Sequence, residues 1–157
     1  MVDRVKYNRL LNYEKFDTDM TEFVNDNNIE SPSDYLIVTS IKERITYIFE
    51  KESDIWVLIY RWSCTVGKPS TPTIKGVFAV GIKYPAITSE GSQVSAKYAS
   101  NIVGEYFYHS ILYDLTGTYV YDGRLGVAIS HGCIRLDTDN AKWIFYNVPE
   151  GTTIVIN

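Results

Sequence analysis

From Asp34 onward the chain is written in short runs of β-branched and aromatic residues broken by turn residues, the local signature of strands. Tyr35-Leu36-Ile37-Val38-Thr39 leads through the charged turn Lys42-Glu43-Arg44 to Ile45-Thr46-Tyr47-Ile48-Phe49. A polar turn at Glu50 to Asp54 then returns the chain into Ile55 to Trp62, and the three runs predict an antiparallel meander. Thirteen tyrosines and an aromatic content of 14% favour strands and argue against disorder over most of the length.

The later runs are less regular. Pro69 and Pro72 fix φ in the loop Gly67 to Thr73, which leads into a predicted strand from Ile74 to Ile82. Residues 84–104, rich in Ser, Ala, Gly and Tyr, read as a surface loop or flap. Glu105 to Ile111 regains strand character, Tyr113 to Gly123 is a glycine-punctuated excursion, and Leu125 to Ile129 is a further strand. Asp137 or Thr138 can cap a helix that runs to about Tyr146, with Ala141, Ile144 and Phe145 on one side, and Thr152 to Ile156 closes the domain. Residues 1–33 stand apart as an N-terminal extension or linker. Val5, Leu10, Leu11 and Phe16 have a loose helical spacing there, and Thr18 to Asn28 predicts a short helix.

At 157 residues the chain has the size of one ordinary domain, and 45% hydrophobic residues supply one core. Its net charge of −4 offers no basic face for a nucleic acid or an anionic membrane surface. No apolar run approaches the roughly 20 residues of a bilayer crossing, and the first residues lack the apolar core of a secretion signal. Membrane insertion by this segment is therefore not expected. Of the two cysteines, Cys64 ends a strand-like run and reads as a buried free thiol in preference to a disulfide partner of Cys133. Two histidines and two distant cysteines give no zinc spacing, and Gly67-Lys68 is a poor phosphate loop.

Chemistry concentrates in Ser130-His131-Gly132-Cys133-Ile134-Arg135, with His109 upstream. A cysteine is a strong nucleophile once a neighbour lowers its pKa or takes its proton. The order of runs puts His109 at the end of one strand and Cys133 just after another, so neighbouring strands can unite them. Small or polar residues, Ser130 among them, open the turn, and Gly132 frees the backbone so that the amides of Gly132 and Cys133 can meet an oxyanion. An imidazole there can act as base or hold a thiolate-imidazolium pair. On spacing alone His131 competes with His109, since residues two apart on an extended segment share a face.

The run Ser130 to Leu136, the upstream His109 and the Ser63 to Thr73 loop resemble the YkuD-type L,D-transpeptidase catalytic domain, over about Asp34 to Asn157. Two departures stand out: residues 110–129 form a longer spacer than is usual, and Arg135 occupies a position where many members have asparagine. The resemblance implies a mainly β, curved mixed sandwich with one helix after the cysteine. It implies that Cys133 attacks the carbonyl joining the third residue of a peptidoglycan stem tetrapeptide to its terminal D-alanine. D-alanine leaves, and the thioester passes to an acceptor amine, or to water in an L,D-carboxypeptidase. His109 would be the base, its ring oriented by the Ser110 carbonyl, and His131 would support the site or simply bond a backbone carbonyl to hold the turn. Arg135 would bind a substrate carboxylate or else pair with Asp137 or Asp139. Tyr98, Tyr106 and Tyr108 would line a cleft or serve as half-buried strand residues. No cofactor is implied, since both steps are substitutions at carbonyl carbon. The setting implied is extracytoplasmic, at the cell wall, with this segment expected to belong to a longer exported or membrane-anchored protein. The remaining alternative is a cell-wall binding module without turnover.

Overall fold

A computed structural model of the chain describes residues 11–157. The meander is present as β1 (Tyr35–Ser40), β2 (Ile45–Glu52) and β3 (Ile55–Ser63), paired antiparallel in sequence order. The closing strand β13 (Thr153–Ile156) lies parallel to β1 and antiparallel to β5 (Gly76–Ala79), giving a five-stranded sheet in the order β3-β2-β1-β13-β5. The expected run from Ile74 to Ile82 narrows to the four residues of β5.

This sheet is buried on both faces. One face of β1, β2 and β13 presents Ile37, Ile48, Ile154 and Ile156 to the main core, and the other presents Leu36, Val38, Phe49 and Val155 to a second cluster. Strands covered on both sides need apolar residues at successive positions, which is why β1 and β13 read as continuous hydrophobic runs. The second cover is supplied by the N-terminal segment. Helix α1 (Met20–Asp26), capped by the Asp19 side chain on the Glu22 N–H, packs Met20, Phe23 and Val24 with Phe16 and Ile29 against the sheet. The buried indole N–H of Trp56 donates to the Ile29 carbonyl at 2.7 Å, and the Asn25 side chain bonds both backbone groups of Trp56. Residues 11–33 are thus a packed layer of the domain; Val5 and Leu10, part of the same expected helical spacing, lie outside the described residues.

The second sheet corrects the reading of residues 84–104. Instead of a loop, β6 (Lys83–Thr88) and β7 (Val94–Val103) form an antiparallel hairpin. Ser95, Ala96, Ala99 and Ser100 of β7 are buried, and small residues allow α2 (Thr138–Asn147) to approach the strand closely. Strand β7 also pairs with β8 (Tyr106–Ser110) and β9 (Leu112–Asp114). The excursion at 113–123 becomes a turn leading to β10 (Val120–Asp122). On the far side, β12 (Ile134–Leu136) runs parallel to β8, completing the order β10-β9-β7-β8-β12.

Helix α2 begins where the sequence expects it. Asp137 caps it by accepting from the Asp139 N–H, and Ala141 and Ile144 reach the main core. Lys83 of β6 donates to the Phe145 and Val148 carbonyls, which neutralises the orphan acceptors of the last turn. A two-stranded parallel piece, β4 (Val66–Gly67) with β11 (Ala128–Ser130), carries the chain into the cysteine turn. No helix among the described residues is long and apolar enough to cross a membrane.

Candidate active site

The parallel ladder of β8 and β12 pairs Ile134 with Tyr108, Arg135 with His109 and Leu136 with Ser110. Strand alternation then divides the side chains between two faces. Tyr108, Ile134 and Leu136 enter the core, while His109 and Arg135 share the other face, with Cys133 two residues ahead of Arg135 on that same side. Thiol and imidazole therefore stand diagonally across adjacent strands, a separation that side chains can span.

His109 is 5% exposed, and its Nδ1 lies 2.7 Å from the Ser110 carbonyl oxygen. A carbonyl only accepts, so Nδ1 carries the proton and Nε2 keeps its lone pair, which is the tautomer a base requires. Burial lowers the imidazole pKa to about 4, against the opposing pull of the Ser110 bond and with help from the Arg135 charge. Burial likewise pushes the Cys133 thiol up, partly offset by the Phe107 backbone and Arg135. Its Sγ donates to the Glu105 carbonyl at 3.4 Å. At neutral pH the resting site thus holds a thiol beside a neutral imidazole, and the thiolate-imidazolium pair is disfavoured on both members. Cys64 is buried, free and unconnected to this chemistry, its pKa pushed up to about 12 by burial.

The cysteine turn is held from two sides. The Ser130 carbonyl accepts from the Lys68 N–H and the Thr71 hydroxyl, and the Ser130 hydroxyl donates to the Cys133 carbonyl at 2.7 Å while accepting from the Gly132 N–H at 3.0 Å. Thr73 bridges the two segments, its hydroxyl donating to the Gly132 carbonyl at 2.8 Å and accepting from the Gly67 N–H at 2.9 Å. Gly132 has φ +125°, and a Cβ on it would stand 2.7 Å from Cε1 of Tyr106. Only glycine fits there.

These bonds change two expectations. The Gly132 amide is spent within the turn on Ser130, so it is a structural donor and not half of an oxyanion pair. The left-handed Gly132 also breaks the alternation by which His131 was to share a face with Cys133. His131 is exposed, and its ring makes no hydrogen bond with the described residues, so it holds no backbone carbonyl.

A family model, the L,D-transpeptidase catalytic domain YkuD, matches residues 34–156. The chain belongs to the L,D-transpeptidase family. It is 33% identical over 126 residues to the putative L,D-transpeptidase YciB of Bacillus subtilis, covering 77% of this chain and 64% of that protein. It is 35% identical over 92 residues to the probable L,D-transpeptidase YbiS of Escherichia coli strain K12, covering 56% and 28%. Among solved structures, a fused Zn-dependent amidase/peptidase/peptidoglycan-binding-domain protein from Clostridium acetobutylicum aligns with TM-score 0.68 and 37% identity over 90% of this chain and 63% of that one. An L,D-transpeptidase from Mycobacterium smegmatis shares the fold, with TM-score 0.61 and 22% identity over 80% and 59%. The chain thus spans less than two thirds of these relatives.

In this L,D-transpeptidase domain the three tyrosines fall in different places. Tyr106 lies against Gly132, beside the turn. Tyr108 is 1% exposed, and its hydroxyl shares a 2.7 Å hydrogen bond with that of Thr39 on β1, so it joins the two sheets and lines no cleft. Tyr98 packs on Phe145 and Tyr146 of α2, on the core side of its sheet, rather than beside the thiol. Arg135, its side chain 11% exposed, pairs at 3.7 Å with Asp122 and with neither Asp137 nor Asp139. Thr65 fixes the Arg135 backbone through two 2.9 Å bonds. Asp122 carried no sequence signal, because only the β9-β10 pairing brings it here; Thr71 and Thr73 lay inside the family-like loop, yet nothing local marked them as clamps of the cysteine turn.

Proposed function

We propose that this domain is a cysteine L,D-transpeptidase that remodels peptidoglycan stem peptides outside the bacterial membrane. The observation that carries the reading is the buried His109, its Nδ1–H held by the Ser110 carbonyl and its Nε2 lone pair left free, on the same sheet face as Cys133. As Cys133 Sγ attacks the carbonyl between the third stem residue and the terminal D-alanine, His109 Nε2 takes the thiol proton. The tetrahedral intermediate collapses, the C–N bond breaks, and the imidazolium returns that proton to the departing amine of D-alanine. An acceptor amine then attacks the thioester and loses a proton to His109, and Sγ departs and recovers it. Because His109 starts neutral, it is ready to accept a proton at each of these points.

Arg135 is assigned the terminal carboxylate of the donor. In a tetrapeptide cleaved at its last bond, that carboxylate sits one residue from the scissile carbonyl. The guanidinium shares a face with Cys133 and makes no hydrogen bond with the described residues. Tyr106, which packs against the main core and the Gly132 turn, is assigned to supporting that turn and not to the donor.

Incubation with a muropeptide bearing a tetrapeptide stem tests the reaction class. Cross-linked dimer with free D-alanine is expected; tripeptide and D-alanine alone would make the enzyme a carboxypeptidase. An L,D-transpeptidase of this fold, LdtMt1, has been solved in complex with imipenem, and we extend that susceptibility to Cys133. An unmodified protein mass after carbapenem exposure would favour a binding module without turnover.

A further inference from the structure

Asp122 is shared between two arginines on unequal terms. Arg124 grips it in a fork, Nε to Oδ1 at 3.0 Å and Nη2 to Oδ2 at 2.8 Å, and the Arg124 backbone N–H adds a third bond to Oδ1 at 3.1 Å. Arg135 reaches the same carboxylate only at 3.7 Å. The Arg124 side chain is 67% exposed, and an ion pair that open contributes little to stability. The two guanidiniums and one carboxylate sum to one positive charge. Most of the neutralisation falls on the outer arginine, so the inner one, with its side chain only 11% exposed, keeps its charge and its donors.

We propose that Arg124 is a specificity-determining residue: by engaging Asp122 it prevents that carboxylate from closing onto Arg135, and so keeps Arg135 open to the carboxylate of the donor peptide. The inference rests on the carboxylate role given to Arg135 above. Without Arg124, Arg135 is the one cation paired with Asp122 among the described residues, and a direct pair between them competes with substrate for the same fork of donors. Arg124 touches no reacting atom and acts through Asp122.

The test is a binding measurement in a Cys133→Ala background, so that no turnover intervenes. The probes are two synthetic stem tetrapeptides, one ending in D-alanine and the other in D-alanine amide, each prepared with L-lysine and with meso-diaminopimelate at the third position. The background protein is expected to bind the acid about tenfold more tightly than the amide, the size of one charged hydrogen-bonding interaction. Adding Arg124→Gln is expected to weaken acid binding by about the same factor and leave amide binding unchanged. Adding Asp122→Asn as well is expected to restore acid binding, because an amide cannot neutralise Arg135; a merely structural loss would not be restored this way. Unchanged acid binding in Arg124→Gln, with the acid preference intact, would overturn this inference alone, as would failure of Asp122→Asn to restore it. Equal binding of acid and amide, or binding of neither, would remove the role of Arg135 beneath it.

Discussion

His109 and Arg135 stand opposite one another in the parallel ladder of β8 and β12, so a buried imidazole and a guanidinium that is itself mostly buried lie side by side. Burial disfavours a positive charge on the imidazole, and the neighbouring cation disfavours it further. Together they keep the imidazole neutral.

The pH dependence should show this. The acidic limb of kcat/KM is expected near pH 4, far below the ordinary histidine value of 6.5, and Arg135→Gln should move it upward. Stability has a definite sign as well. Between pH 6.5 and 4 the unfolded chain binds a proton at His109 that the folded chain refuses, so the contribution of this group is complete above 6.5 and lost as pH falls through that window. Denaturation of wild type against His109→Asn should diverge by on the order of 3 kcal/mol across it. Parallel curves would contradict the buried neutral ring.

Gly132→Ala should both destabilise and inactivate. The new methyl meets the Tyr106 ring at 2.7 Å, and the backbone at φ +125° suits no L side chain. A loss of about 2 to 4 kcal/mol is expected from chemical denaturation, with turnover reduced more than a hundredfold as the turn shifts Cys133. A Tm within a degree of wild type would show that the turn tolerates a side chain.

Thr73→Val is nearly isosteric and isolates one hydroxyl. It strips the partner from the Gly67 amide and the Gly132 carbonyl, both buried, at a cost of about 2 to 4 kcal/mol. Thr73→Ser keeps the hydroxyl and should recover most of that loss. Equal damage from both variants would point to packing in place of the bridge.

Tyr108→Phe separates a core role from a cleft role. Losing the bond to Thr39 should lower stability by about 1 to 2 kcal/mol and leave KM for the donor within twofold. A large rise in KM at unchanged stability would return Tyr108 to the substrate.

What could be read from the sequence follows from how local each signal is. The β1-β2-β3 meander, the Asp137 cap of α2 and the cysteine motif are written in adjacent residues, and they stand where the sequence puts them. The β6-β7 hairpin escaped because its buried positions are Ser95, Ala96, Ala99 and Ser100, small residues whose strand character depends on a helix that follows them by forty residues. Tyr106 and Tyr108 share one strand face, and only the packing around each shows that Tyr108 reaches Thr39 while Tyr106 meets Gly132. The Asp122 pair with Arg135, and the Thr73 bridge between Gly67 and Gly132, join segments distant in sequence. Side-chain chemistry at one position does not announce such a partner.

The central claim is that Cys133 carries the acyl group. Wild-type protein mixed with a stem tetrapeptide, quenched in acid within the first turnovers and weighed intact, is expected to gain the mass of the tripeptidyl acyl group, mapped to the peptide containing Cys133. Cys133→Ala should gain nothing and melt within a degree or two of wild type, since its thiol makes only weak contacts with backbone groups, the Glu105 carbonyl at 3.4 Å and Phe107. Release of D-alanine by Cys133→Ala, or an adduct mapped to another residue, would contradict the account.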